Sequence, residues 1–510
     1  MSPTVSRHWA IALVLAAAAP LYLVFTHNND VISSFSDSVV YLITARHYAS
    51  PFADHAAYAE IAAQSQYPPL YPLLLAAFGA GDDVALAHAV TTVTLIAAFF
   101  VLYLWLVRSG VSTLASAAAV LVCALIPGLY LHALLVLSEN LYLLFSLLTL
   151  LGLASSSASL RMFALAALAA SAATMTRSIG IALFVPLGLA ALMHQRRFAA
   201  LALVAAAAMP TVIWSVLHKP LVSYPQALAA VYGEHPIPAL LAQMPGQALG
   251  IFHGLCEDIA GLGNDAFFAK AIVVLMLAAA LLRALRLRTD GIYVIAYFGI
   301  LLIWPYPTEL PRLGLMLIPV MLAQLVIESL AMLHARARNA ARSAAVTALA
   351  AVLVLLIPVA LGNASRFVHA ADTGLAAARS NPLWYDRDNE RALLRVKVDA
   401  ATVGGLQRIA DFVDPKDCVY VLRPALVTFY SGRRGVVPPL DAPDDDTFTQ
   451  RLLQMGCRYI VLRDSDSPSG TLRMFPSSRI RVPMNGVDAA TLDLPGRTEP
   501  AVIMILAELP

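Results

Sequence analysis

Charge is what this sequence has least of. Only 13% of its 510 residues are Asp, Glu, Lys or Arg, about half the share usual in a soluble domain, and this excludes a single water-soluble globule of this length. Lysine is nearly missing: Lys219, Lys270, Lys397 and Lys416 are the whole complement. Arginine therefore carries the positive charge, and with the abundant alanine this matches a GC-rich bacterial coding bias. A formal net charge of +2 lacks the basic footprint that a nucleic-acid partner requires. Cysteine is scarce too. Cys123, Cys256, Cys418 and Cys457 show no metal-ligand spacing, and Cys418 and Cys457 are open either to pairing or to remaining as thiols.

Apolar residues are in excess. They make up 59% of the chain, and the mean hydropathy is +0.73. The few charges are unevenly spread, with 30 in residues 1–361 and 36 in residues 363–510. That asymmetry predicts a polytopic helical membrane domain over 1–361 and a water-soluble domain over 363–510. Apolar windows fall at 8–26, 84–107, 113–130, 134–153, 162–176, 179–193, 198–217, 269–287, 291–304, 313–334 and 343–361, about eleven spans. The first is longer than the apolar region of a signal peptide and is expected to stay as an uncleaved helix.

Alternate gaps between the windows carry Arg7, Arg108, Arg161, Arg196 and Arg197, then Arg283, Arg286 and Arg288, then Arg336, Arg338 and Arg342. The opposite gaps are longer yet poorer in arginine. By the positive-inside bias the N-terminus is cytoplasmic, and the long loops 27–83 and 218–268 lie outside together with the C-terminal domain. Residues 27–83 are expected to form short amphipathic helices at the interface. In the tail, helical stretches at 400–413 and 445–455 alternate with β-like runs "CVYVL", "YIVL", "RIRVP" and "AVIMIL", which predicts a small α/β domain.

Five polar outliers collect on the predicted outer face. On a helix, Tyr41, Thr44 and Tyr48 fall within about 40° of Asp37 while Arg46 points elsewhere; Asp37 alone reads equally as a carboxylate at a helix N-terminus. "QYPPLYPLLLAAF" brings Tyr67 and Tyr71 into a rigid re-entry toward the membrane. "LSENLYLLF" places Glu139 at the outer end of a span, where it either snorkels or faces a partner. "TRSIG" sets Arg177 against the charge bias, so an anionic partner is expected: Glu139, a lipid phosphate or a ligand phosphate. "WPYPTELPRLGLMLIP" carries Tyr306 and Arg312, the latter either an interfacial anchor or a phosphate contact.

The order of these motifs, from the Asp-bearing loop through "YPPLYPLLLA", "SENLYLLF" and "TRSIGIALF" to "PRLGLMLIP", resembles the GT-C glycosyltransferases of the protein-O-mannosyltransferase and lipid A aminoarabinose transferase type, family 39-like bacterial relatives. The tail, in "IADFVDPKDCVYVLRPALVTFYSGRRGVVPP" and "LLQMGCRYIVLRD", resembles the extracytoplasmic domain of those relatives. The resemblance implies an inverting transfer of a sugar from a polyprenyl-phosphate donor to an extracytoplasmic glycolipid, polysaccharide or protein in a bacterial inner membrane. It implies Asp37 as general base, with Glu139 as a cavity-facing orienter, where relatives often carry Asp-Glu and this chain has Asp37-Ser38. Arg177 and Arg312 would meet the phosphate, and Tyr41, Tyr67, Tyr71 and Tyr306 would line the substrate site. Neither metal nor cofactor is expected; His55 and Glu60 alone are too few to hold an ion. A transporter or lipid flippase is the alternative from another class, but neither internal symmetry nor midplane charge supports it. A third is a non-catalytic subunit of a polysaccharide assembly complex.

Overall fold

The computed structural model describes residues 8–26, 35–50, 56–133, 135–155, 159–218, 220, 224–233, 236–260, 267–335, 390–440, 442–463, 474–476, 480, 482–493 and 499–510. Its helices in chain order are α1 (Trp9–Thr26), α2 (Phe35–Ala49), α3 (Ala56–Gln64), α4 (Leu70–Ala77), α5 (Val84–Arg108), α6 (Thr113–Ala124), α7 (Pro127–Ala133), α8 (Glu139–Ser155), α9 (Leu160–Thr176) and α10 (Phe184–Met193). There follow α11 (Arg197–Leu217), α12 (Tyr224–Tyr232), α13 (Pro236–Ala260), α14 (Phe267–Leu285), α15 (Thr289–Leu302), α16 (Leu310–Leu315), α17 (Ile318–Ala335), α18 (Glu390–Phe412), α19 (Pro424–Ser431) and α20 (Asp445–Gln454). Two compact units divide the chain: Met1–His27, Gln66–Tyr71 and His88–Thr373 form the first, and Asn28–Ser65, Pro72–Ala87 and Gly374–Pro510 the second.

The first unit is helical. Among the described residues three helices, α5, α11 and α14, are long and apolar enough to cross a membrane, and the bent pair Pro307–Leu315 and Ile318–Met332, angled by 49°, would make a fourth. Six shorter apolar helices accompany them; the window at 343–361 lies outside the described residues. Only 11% of the apolar window of α11 is buried within the protein. Apolar surface exposed to that degree is stable against acyl chains and not against water, so this is a membrane protein. Hydroxyls inside the unit bond their own helix: Ser146 donates to the Tyr142 carbonyl at 2.9 Å and Thr174 to that of Ala170 at 2.8 Å. No polar group is thereby left to face hydrocarbon at those positions.

In the second unit, strands β1 (Cys418–Tyr420), β2 (Arg434–Val436), β3 (Tyr459–Arg463), β4 (Phe475–Pro476), β5 (Asn485–Leu492) and β6 (Ala501–Glu508) form one sheet in the order β2-β1-β3-β6-β5, with β4 also paired to β3. β1, β2 and β3 run parallel, while β6 is antiparallel to β3 and β5. β3 is central, and its middle three residues are all buried, as expected for a strand covered on both faces. Phe448 of α20 stacks on Phe475 at 4.7 Å over this core. Cys418 and Cys457 form a disulfide that closes a loop between β1 and the start of β3. Of the "RIRVP" run, the described residues Ile480, Val482 and Pro483 lie in no strand, and a proline cannot donate to a ladder; positions 479 and 481 lie outside the described residues.

α2 departs from the amphipathic helix expected of it. Val39, Tyr41, Leu42, Ile43 and Ala45 are all buried, because α2 packs against both α3 and α19 within the second unit. Arg46 donates from Nε to the Gly81 carbonyl at 2.9 Å, pairs with Asp82 at 2.9 Å and lies over the Phe429 ring at 4.4 Å. Glu60 of α3 takes both ends of the Arg434 fork, at 2.8 and 3.0 Å. The loop helices and the sheet domain are therefore joined by specific ionic contacts.

Candidate functional site

A buried carboxylate lies at the centre of an ionic cluster in the first unit. Glu139 opens α8 and is 1% exposed. An acid in a first turn suits the positive end of the helix dipole, but burying its charge costs several kcal/mol unless cations answer it, on the order given for buried ion pairs. Two do. Arg177 Nη1 lies 2.7 Å and Arg312 Nε 3.3 Å from the same oxygen, Oε1.

Each arginine is delivered by a break in a helix. Arg177 caps the C-terminus of α9 in an extended conformation, and its N–H is bonded to the Ala173 carbonyl. A cation is favourable there, at the negative end of the dipole, and its Nη1 also donates to the Ser138 hydroxyl at 3.2 Å. Arg312 sits on the one-and-a-half turns of α16, a piece held from three sides. Tyr297 donates to the Leu313 carbonyl at 2.9 Å. Gly254 of α13 approaches Pro311 so closely that a Cβ would stand 2.6 Å from its Cα. Gln247 donates to the Trp304 carbonyl at 3.1 Å and Tyr232 to that of Ile303 at 3.2 Å, fixing the entry to the Pro-rich turn. Glu309 approaches Arg312 at 3.8 Å from a more exposed position and accepts from the Trp304 indole at 3.2 Å.

Tyrosines surround the centre. Tyr142 of α8 and Tyr293 of α15 share a hydroxyl contact at 2.9 Å, and Tyr297 packs on both rings at 6.2 and 5.9 Å. His132 of α7 is buried and interacts electrostatically with Glu139, Arg312 and Arg177. These four side chains are absent from the sequence-based site. A lone imidazole inside an apolar run was the one available signal for His132; Tyr293 and Tyr297 look like ordinary span tyrosines.

Glu139, Arg177 and Arg312 are thus brought together. Tyr71 is fully buried, and its hydroxyl is 2.6 Å from that of Thr91; Tyr67 and Tyr306 are half-buried. Asp37 and Tyr41 belong to α2 in the second unit, where Asp37 lies in the first turn, half-buried, and Tyr41 is 1% exposed. Glu60 is engaged with Arg434. Among the described residues no group of three or more His, Cys, Asp or Glu could hold a metal. Chemically, guanidiniums delivered at helix breaks can meet phosphate, and a carboxylate between them can orient them.

Fold and site together define a membrane protein with an ionic centre set among the helices of its first unit, and with a second unit that contains an α/β sheet. No protein-family model and no curated protein matches the chain. Among solved structures it is similar to ArnT from Cupriavidus metallidurans bound to undecaprenyl phosphate, at 15% identity and TM-score 0.49 over 88% of this chain and 92% of that one. It is also similar to the oligosaccharyltransferase of Archaeoglobus fulgidus tethered to an acceptor peptide, at 11% identity and TM-score 0.49 over 89% and 69%. The archaeal oligosaccharyltransferase AglB, in complex with an inhibitory peptide and a dolichol-phosphate, is similar at 11% identity and TM-score 0.46.

Proposed function

We propose that the protein is an inverting glycosyltransferase that moves a sugar from a polyprenyl-phosphate-linked donor to an extracytoplasmic acceptor, a glycolipid, polysaccharide or protein. The convergence of Arg177 and Arg312 on Glu139 carries this reading; the order of the sequence motifs supports it. The acceptor hydroxyl attacks the anomeric carbon and gives its proton to Asp37 as general base. The bond from that carbon to the phosphate oxygen breaks, and the prenyl phosphate leaves with growing negative charge. Arg177 and Arg312 meet that charge from side chains only 12% and 11% exposed, where water screens little, so each contact is strong. Glu139 holds the two guanidiniums in register. Tyr41, Tyr67 and Tyr306 line the substrate path, and Tyr71 contributes its ring to the wall. Neither metal nor cofactor takes part.

The same reading places the protein in a bacterial inner membrane with its N-terminus cytoplasmic and its C-terminal domain periplasmic. The Cys418–Cys457 disulfide agrees with that side, since such bonds persist in oxidising compartments. Transfer from a labelled polyprenyl-phosphate sugar, compared between wild type and Asp37→Asn, tests the assignment. A fall of about 10²- to 10⁴-fold is expected; turnover equal to wild type in the near-isosteric variant would overturn Asp37 as the base.

A further inference from the structure

The far end of the first unit holds a second polar place that the proposed reaction does not use. A cavity of about 590 Å³ opens there between the ends of α5, α8, α10 and α14, the start of α15 and the middle of α17. Its lining includes Leu153, near the opposite end of α8 from Glu139, so it stands about 20 Å from the ionic centre at 1.5 Å per residue. Four arginines line it against two carboxylates. Both acids are engaged: Arg283 holds Asp290 in a fork at 2.6 and 3.1 Å and Glu328 at 2.8 Å, and Arg286 meets Glu328 at 2.5 Å. Arg108 and Arg288 are exposed at the rim.

Two further observations point to a ligand. The ring Nδ1 of His194 accepts from the Arg196 backbone N–H at 3.0 Å, so Nε2 carries the proton. That Nε2 is a buried donor with no partner among the described residues, on a side chain that lines the cavity. The second is Leu287, the one described non-glycine residue with positive φ, at 54°. The N–H groups of Leu287 and Arg288 return to the carbonyls of Ala284 and Arg283 at 2.9 Å each, which closes a Schellman turn with leucine where glycine is favoured. This turn sets Arg286, Leu287 and Arg288 side by side at the cavity mouth, with the Leu287 side chain 61% exposed.

A rim that alternates guanidiniums with an exposed leucine, above walls that include Trp105, Leu150 and Ile327, matches an anion carried on an apolar tail. We propose that this cavity binds the phosphate of an acidic phospholipid, with Arg108, Arg286 and Arg288 around the phosphate, His194 donating to it and the acyl chains against the apolar wall. A free phosphate shares the anionic chemistry but not the tail.

Full-length protein in dodecylmaltoside is titrated with dioleoylphosphatidylglycerol, with dioleoylphosphatidylcholine and with inorganic phosphate, reading the shift in thermal midpoint. A saturable rise with phosphatidylglycerol alone is expected, with apparent affinity at least tenfold weaker in Arg288→Ala, which leaves the Arg283–Glu328 contacts in place. Leu287→Gly removes the apolar rim while relaxing the backbone. It is expected to keep or raise the ligand-free midpoint and to bind phosphatidylglycerol several-fold more weakly. An equal response to phosphatidylcholine, an equal response to inorganic phosphate, or wild-type affinity in both variants overturns the proposal.

Discussion

The first unit carries two ionic clusters on different sets of helices, and they are built differently. In one, a single carboxylate oxygen is shared by two arginines, Arg177 and Arg312, each arriving from a broken helix. In the other, Asp290, Arg283, Glu328 and Arg286 form a closed chain in which both acids accept two contacts. Close approach makes that chain possible: a Cβ on Gly291 would fall 2.3 Å from the Ala284 backbone N, so only glycine lets α15 start against the end of α14. The closed chain ties α14, α15 and α17 together and has a structural purpose. The other arrangement brings two guanidiniums from different helices onto one carboxylate oxygen, and under the proposed reaction it is the one that receives an anion. On that reading, burial alone does not separate a lock from a site.

Breaking the closed chain gives the largest expected effect. Glu328→Ala leaves Arg283 Nη1 without its acceptor and Arg286 without its buried partner, and is expected to cost about 3 kcal/mol, the low end for breaking a buried pair because Arg283 keeps its fork to Asp290, read as a fall in thermal midpoint in detergent and in yield of folded protein. Glu139→Gln keeps shape and polarity in the Arg177–Arg312 cluster. There the expectation is reversed: donor turnover falls by about 10²-fold, on the scale of a lost preorganised electrostatic contact, while the midpoint moves by less than in Glu328→Ala. If Glu139→Gln proved the more destabilising and left turnover intact, the contrast between site and lock would fail. A finer probe is Arg312→Lys. Charge survives but the planar fork does not, so donor affinity is expected to drop by about tenfold, whereas Arg177→Ala and Arg312→Ala that left donor affinity normal would remove both from the phosphate.

Periodicity makes some of this legible and hides the rest. The helix bearing Asp37, Tyr41, Thr44 and Tyr48 follows from local spacing, as does an Arg46 turned elsewhere, toward Gly81, Asp82 and Phe429. An anionic partner for Arg177 follows from its violation of the charge bias, and Glu139 is that partner in the structure. Arg312 joining the same oxygen does not, since nothing local relates residue 312 to residue 139. For the same reason Asp290, in the gap before a span, and Glu328, inside one, pass as isolated acids until the fold brings Arg283 between them. The Cys418–Cys457 bond is likewise settled by tertiary proximity, across paired strands. The all-round burial of α2 depends on α19, more than 300 residues further along the chain.

The exposed pair Glu60–Arg434 in the second unit supplies the lower end of the scale, and with it the smallest effect. Arg434 hydrogen-bonds the Glu60 carboxylate and holds it below the usual glutamate range, against a smaller opposing push from partial burial. A carboxyl depressed in the folded state contributes stability that is present above its unfolded value, about 4.3, and is lost as pH falls through the folded value. Both partners are substantially solvated, with side chains 32% and 53% exposed, so the contribution is about 0.5 kcal/mol. The difference in thermal midpoint between wild type and Glu60→Gln should therefore be small and constant above about pH 5.5 and should vanish toward about pH 3. It should also shrink with added salt, whereas the Glu328→Ala effect, buried from solvent ions, should not. A salt-insensitive Glu60 effect as large as that of Glu328 would mean that burial, rather than the way the contacts close, sets the strength of these pairs.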